Sequence, residues 1–441
     1  MLPLSHLHFA VLSLTSSIST VAWSQWVAGG LFATTNHFQA CAFHTPDTGL
    51  FVYGTDNPAS GEGGLIRTDN GATTGGFYVW YTSPGNIEDI DVRIGVDGFP
   101  YYLAAGHAQY NQGLVIRQYP LYINPFQFDS VRTGPGKYYR AIRMRSDLVA
   151  FAAGGNAAGD GLIEMSVDTG ATWTTVATLT GQPVSRLHFV DDLLGFASTG
   201  GYRRTLMNGV FLPDSGAIYR TVDGGWTWLQ VHADASAGFS DVAFSTSING
   251  AATRNDGVIL HTADGGDTWQ PAAVNLPGPY VMTSVTFRPD GTGFAGCYRT
   301  DGTAAFILIS YDGGMSWYQN FSTAGFNHSR RLYDMYFFDD AHGYAPTHTR
   351  QLRSTGIVTQ VPLPGSGAVL IYPNPFAGRL NVSLSAGPAD LQVRDTLGRL
   401  VMERQAHGPL IELDLTSLPA GHYMVRARQQ GVDMVGSVIR E

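Results

Sequence analysis

Charge is scarce in this chain. Only 14% of its 441 residues are Asp, Glu, Lys or Arg, and the acids outnumber the bases for a formal net charge of −9. That sign repels phosphate, so a nucleic-acid role resting on backbone contacts is excluded. Cysteine is almost absent, Cys41 and Cys297 being the whole supply. No apolar run reaches the roughly 18–20 residues of a membrane span, so no transmembrane segment is expected. Helix-period stripes are missing as well. CxxC pairs, HExxH, P-loops and a Ser/His/Asp order are lacking, so the sequence offers no metal site, no cofactor and no familiar enzyme class. What abounds is glycine, with 54 residues, and aromatics at 12%. That is the profile of many short strands joined by tight turns.

A short pattern recurs through the middle of the chain. It reads Ser166-Val-Asp168-Thr-Gly170-Ala-Thr172-Trp173, then Thr221-Val-Asp223-Gly-Gly225-Trp-Thr227-Trp228. Two more copies are Thr262-Ala-Asp264-Gly-Gly266-Asp-Thr268-Trp269 and Ser310-Tyr-Asp312-Gly-Gly314-Met-Ser316-Trp317. A degenerate copy, Arg67-Thr-Asp69-Asn-Gly71-Ala-Thr73, stands upstream and is read as centred on Asp69. The intact aspartates are 55 (168 to 223), 41 (223 to 264) and 48 (264 to 312) residues apart. A period of about 40–50 residues is the length of a four-stranded propeller blade. Each residue type suits a tight hairpin. Asp accepts bonds from the turn's own N–H groups, Gly takes a positive φ, and Trp buries a large surface in the next layer. These jobs are structural, and no chemistry is assigned to them.

A second feature sets the number of units. Seven short apolar-alternating runs recur: 40–43, 89–92, 141–144, 186–189, 241–244, 284–287 and 334–337. Alternation with period 2 marks strands, and most runs precede a Gly-rich second strand such as Gly195-Phe-Ala. The expectation is an all-β chain built on a seven-bladed β-propeller. The last unit lacks its own copy of the pattern. Gln25-Trp26-Val27 is read as the strand that completes it and closes the ring, which removes exposed edges. The two cysteines then fall in units one and six and are expected to be free and buried.

The S/T-x-D-x-G-x-T/S-W pattern resembles the Asp-box, or BNR repeat, of sialidases, sortilin-type receptors, xyloglucanases and photosystem II assembly factors. In arrangement the chain is most similar to the single-ring assembly-factor propellers, which act by binding partners. Sialidases place their first arginine in an F/Y-R-I-P motif ahead of the first box. Here Phe287-Arg288-Pro289 lacks the Ile and follows three intact boxes, so that catalytic set is not carried over.

The two ends of the chain point outward from the cell. Residues 1–24 read as a secretory signal peptide, with Leu7–Leu14 as its apolar stretch. Composition shifts at a linker, 362–368. Residues 369–441 then alternate short strands with turn residues, as a small Ig-like β-sandwich does. Tyr372-Pro373-Asn374-Pro375, the Asp395-Thr-Leu-Gly398-Arg turn and the Leu418-Pro-Ala-Gly421-His-Tyr423 turn occur there in order. Together they resemble the type A C-terminal sorting domain of the type IX secretion system of Bacteroidetes. The resemblance implies type IX machinery as a partner, and a secreted or outer-membrane surface-attached protein after Sec export.

Loops at the mouth of a propeller channel commonly carry function. The residues placed there are Arg140, Arg186, Tyr280, Arg330 and Arg331, whose guanidinium forks suit an anionic ligand. The alternative for these arginines is pairing with Asp89, Asp241 and Asp334 around the ring. The functional expectation for residues 25–361 is a non-catalytic binding or adhesion module for an extracellular protein or glycan. The alternative is a glycan-active hydrolase, sialidase-like or other, with an acidic pair at the mouth.

Overall fold

The computed structural model describes residues 26–31, 37–54, 63–73, 77–83, 85–108, 112–118, 128–201, 215–276, 278–323, 332–347, 350–354, 370–372, 378–383, 387–395, 398–407, 410–429 and 432–440. The regular structure in them is all β. Sheet I is a meander of His37–Phe43, Gly49–Gly54, Gly63–Thr68 and Phe77–Ser83. Sheets II (85–135), III (137–179), IV (184–234) and V (239–271) repeat that order of four strands. Sheet VI does so over 280–322 and gains Ala273–Asn275, laid parallel on its outer strand Ser316–Ser322. Sheet VII takes three strands from 336–354. Its fourth comes from the other end of the chain, as Trp26–Leu31 pairs antiparallel with Arg350–Ser354.

The first strands hold the seven runs picked out by alternation, although in sheet VII the strand is only Tyr336–Phe337. These strands are covered on both faces because each sheet stacks between two others. The first strands of sheets II to VI lie on the first two strands of the sheet before. Sheets VI and VII share a core of Phe294, Ile307, Leu332, Ala345, Leu352 and Trp26. Sheet VII in turn meets sheet I, where Tyr344 stacks on Phe43 and Tyr336 Oη donates to the Phe43 carbonyl at 2.8 Å. The packing therefore runs in a cycle.

One cross-strand pair recurs and explains the Gly-rich second strands. Phe43, Phe189, Phe244, Phe287 and Phe337 end their first strands opposite Gly49, Gly195, Gly250, Gly293 and Gly343. Each ring lies over its glycine. A Cβ at Gly49 or Gly343 would stand 2.4 Å from ring carbon. Cys41 and Cys297, in sheets I and VI, are both unpaired and buried.

The C-terminal unit has two sheets. Leu370–Tyr372, Arg379–Ser383 and Leu410–Asp414 form one, and Pro388–Asp395, Leu400–His407, Gly421–Gln429 and Val432–Arg440 the other. Leu380, Val382 and Leu413 of the first share one core with Leu391, Val393 and Val425 of the second.

Candidate functional site

The four intact repeats fold into near-identical turns between third and fourth strands. In each, the leading hydroxyl donates to the aspartate, from Ser166 to Asp168 at 2.7 Å and from Thr221 to Asp223 at 2.8 Å. The same hydroxyl accepts the glycine N–H, as from Gly170 at 2.8 Å and Gly314 at 3.0 Å. The trailing Thr or Ser donates to the other carboxylate oxygen. The Trp indole N–H closes on the glycine carbonyl at 3.0, 3.1, 3.2 and 2.9 Å. Against the cost of burial, the hydrogen bonds of Thr172 and Thr227 hold Asp168 and Asp223 down to about 2. Gly170, Gly225, Gly266 and Gly314 all take φ between 79° and 95°. Within these turns Asp168, Asp223, Asp264, Asp312 and the tryptophans Trp173, Trp228, Trp269 and Trp317 are thus committed to local bonds.

The upstream copy is registered one residue later than its sequence suggests. Thr68 Oγ1 bonds Asn70 Oδ1 at 3.1 Å and accepts the Ala72 N–H at 3.0 Å. Asn70 therefore holds the aspartate position and Ala72, at φ 58°, the glycine position. Asp69 instead pairs with Arg67 at 2.6 Å on the surface.

The inner strands share a device that alternation does not reveal. In sheets I to VI the pairing of first and second strands slips by one residue at the same place. The extra residues are Gln39, Glu88, Arg140, Ser185, Ser240 and Thr283. A bulge re-aims its side chain and twists the strand. Two serines are tied to main chain: Ser185 Oγ accepts the Gly201 N–H at 3.0 Å, just past the second strand of its own sheet, and Ser240 Oγ donates to the Met282 carbonyl of the next sheet at 2.8 Å. Arg140 lies over the Tyr138 ring at 5.2 Å, and His107 Nδ1 stands 4.0 Å from Glu88 Oε1.

Just beyond the bulges, polar side chains of sheets II, IV and V cap the open edges of sheets III, V and VI. A first strand has one unpaired edge, whose N–H groups need acceptors. Asp89 takes the Ile142 N–H at 2.9 Å, Asp91 the Met144 N–H at 2.7 Å, and Asp241 the Val285 N–H at 3.0 Å. His188 Nε2 receives the Phe244 N–H at 3.2 Å. Arg143 bonds Asp89 at 2.6 Å, and Arg186 donates to the Arg140 carbonyl at 2.9 Å.

Residues from five sheets act on one another here, so the first strands converge on a common interior. Burial is opposed by Asp89, Asp334 and Asp241, which keep the Arg143 and Arg186 guanidinium groups more basic than usual. Burial pushes Asp241 up to about 6, against the pull of Arg186. Burial also raises Asp334, with Asp89 and Asp241 adding repulsion that Arg186 and Arg143 only partly offset. Burial, then Arg143, lowers His188 to about 4, so it stays neutral and able to accept.

Of the predicted ligand contacts, Arg140 and Arg186 come together through the main chain. Tyr280 does not join them. It is buried and meets Phe306 edge-on at 5.5 Å within the core of sheet VI. Arg330 and Arg331 lie outside the described residues. Gln39 Nε2, Tyr138 Oη, Arg186 Nε and Ser284 Oγ are buried without a protein hydrogen-bond partner among the described residues. Buried polar groups ordinarily have partners. Among the described residues no cluster of three metal-ligating side chains occurs.

In the C-terminal unit the motif residues are also structural where they are described. Gly398, at φ 75°, closes the turn in which Asp395 accepts the Arg399 N–H at 3.0 Å. Tyr423 is buried and donates to the Pro419 carbonyl at 2.8 Å. Tyr372 ends the strand Leu370–Tyr372. Gly421 opens the strand Gly421–Gln429. Pro373, Asn374 and Pro375 lie outside the described residues.

Residues 370–441 match the family model described as a secretion system C-terminal sorting domain. This is the tail of type IX secretion, and it carries the protein to the cell exterior or surface. Among the described residues no helix is long and apolar enough to cross a membrane. No curated protein matches the chain. Among solved structures, YCF48 from Cyanidioschyzon merolae is similar with a TM-score of 0.52 and 14% identity, covering 75% of this chain and 98% of that one. A YCF48 structure bound to D1 peptide gives 0.51 and 15%, over 75% and 96%. The extracellular domain of the putative one component system BT4673 from B. thetaiotaomicron gives 0.53 and 8%, over 94% of this chain and 54% of that one. At these identities the likeness bears on fold alone, which is β-propeller-like.

Proposed function

We propose that this chain is an exported, non-catalytic binding module for an extracellular protein or glycan. In this reading residues 25–361 are a seven-bladed Asp-box β-propeller and 362–368 a linker. Residues 369–441 form an Ig-like sandwich that engages the type IX machinery, and residues 1–24 are the signal peptide. The cyclic packing of seven sheets and the N-terminal strand in the last of them support the architecture.

One observation carries the absence of catalysis. Glycoside hydrolysis by paired carboxylates needs two groups free to act. In the interior, both oxygens of Asp89, Asp91 and Asp241 are engaged by N–H groups. Of the four interior aspartates, Asp334 alone keeps an oxygen, Oδ2, without a hydrogen bond among the described residues, since Met335 N–H takes Oδ1, and Glu88 at the neighbouring bulge faces His107 at 4.0 Å. Three of the four interior aspartates therefore serve the main chain rather than a substrate. The buried donors of Arg186 and Gln39 instead suit recognition of a polar group. A similar structure carries a bound peptide, which is precedent for polypeptide binding by this fold.

The test is a glycan-array and peptide-array screen of the full-length chain beside Arg140→Gln. We expect binding to one class that the variant weakens at least tenfold. Binding that Arg140→Gln leaves unchanged would move the site away from the interior mouth.

A further inference from the structure

In sheets III to VI the turns joining first to second and third to fourth strands lie at one end, and the first-to-second turn of sheet II lies beside them. In sheets II to IV they carry exposed apolar side chains at consecutive places. Val96, Leu148, Val167, Leu193, Val222 and Trp226 are 56% to 100% exposed. Hydrogen bonds fix them side by side. Val96 N–H donates to Asp147 at 2.9 Å, beside Leu148, and Thr169 N–H donates to the Leu148 carbonyl at 3.0 Å. Arg145 of sheet III bonds the Gly224 carbonyl of sheet IV. Gly224 N–H donates to the Leu193 carbonyl at 2.9 Å, setting Leu193 against the turn that holds Val222 and Trp226. None of the six is needed by the turn. Trp226 occupies a position held by Ala171, Asp267 and Met315 in the other copies. Large exposed apolar patches mark interaction sites, and tryptophan is enriched among the residues that anchor interfaces.

The surrounding charge is mostly negative. Asp97, Asp147, Asp168, Asp191, Asp192 and Asp223 lie in the same turns. Backbone N–H groups of Leu194 and Leu193 keep Asp191 below the usual carboxylate range. Two arginines stand beside them, Arg93 paired with Asp147 at 3.1 Å and Arg145 on the Gly224 carbonyl, and the acids outnumber them. We infer that this end of sheets II to IV is a docking surface for a basic polypeptide segment in which Lys or Arg alternates with aliphatic side chains. The patch offers aliphatic surface inside an acidic rim, which complements that segment and repels anionic lipid. The inference rests on the reading of the chain as a binding module, but places the contact at the end of the sheets away from the bulges.

The test uses the full-length chain and three labelled eight-residue peptides alternating Lys-Leu, Lys-Ser and Glu-Leu, followed by fluorescence anisotropy at low and moderate salt. We expect Lys-Leu to bind at least tenfold more tightly than either control, and to weaken severalfold as salt rises. Trp226→Ser and Leu193→Ser should each weaken it at least fivefold while leaving the melting temperature and the array binding unchanged. Equal affinity for Lys-Ser would reduce the effect to bulk charge, and indifference to Trp226→Ser would place the peptide elsewhere. Either result overturns the inference. Array binding that persists while Lys-Leu fails to bind would overturn this surface and leave the binding reading standing.

Discussion

Removing the indole of Trp26 should loosen the whole cycle of sheets. The side chain is buried, sits edge-on to Phe337 at 5.9 Å and to Phe294 at 6.4 Å, and donates from Nε1 to Asn320 at 3.1 Å. It joins a strand from the start of the chain to a sheet made near residue 350. Truncating a buried Trp to Ala costs about 3–5 kcal/mol, and the hydrogen bond adds about 1 kcal/mol. Total stability is on the order of 5–15 kcal/mol, so Trp26→Ala should cost about 5 kcal/mol and lower the melting temperature by roughly 7 °C. Trp26→Phe keeps much of the packing and should cost about 1–2 kcal/mol. Urea denaturation followed by near-ultraviolet circular dichroism measures both. A loss under about 1 kcal/mol for Trp26→Ala would mean that the strand is an ornament and that the last sheet holds without it.

Three further outcomes follow from the turns and the interior. Thr169 sits at φ 59° where the other intact copies have Gly224, Gly265 and Gly313, so Thr169→Gly should stabilise by about 0.5–1 kcal/mol after losing its long bond to Asp147; denaturation midpoints decide. Asn70→Ala should cost about 1 kcal/mol and Asp69→Ala within about 0.5 kcal/mol, and the reverse order would restore Asp69 to the turn. Because Asp334 is more acidic unfolded than folded, its contribution falls as pH rises from about 4 toward neutrality. Asp334→Asn should therefore gain about 2 kcal/mol at pH 8 and almost nothing at pH 4, and a pH-independent effect in urea titrations would contradict the buried charge.

Much of the architecture is legible in the sequence because two signals repeat with the same period. The hairpin pattern marks the third-to-fourth turn, and the Phe that ends a first strand demands the Gly that opens the second. The interior is less legible. A bulge shifts register by one residue without changing composition, so Gln39, Ser185, Ser240 and Thr283 leave no mark in a single copy; only stacking the first strands in register would expose them. The neighbours Asp69 and Asn70 can both accept hydrogen bonds, and the choice is made by which oxygen Thr68 reaches. Tyr280 opens a strand buried on both faces, where sequence does not say whether a ring looks inward to the core or to the mouth. Trp226 hides in a variable position of the repeat, beside a Trp whose role is structural.

Recognition without turnover is tested by an assay of sugar release. Full-length protein and Asp334→Asn would be incubated with sialosides and a broad panel of aryl glycosides and oligosaccharides across pH 4 to 8, with product followed by chromatography. We predict release no faster than buffer for both proteins at every pH. Release by the wild-type chain that Asp334→Asn abolishes would contradict it, and would make Asp334 the acid of an enzyme.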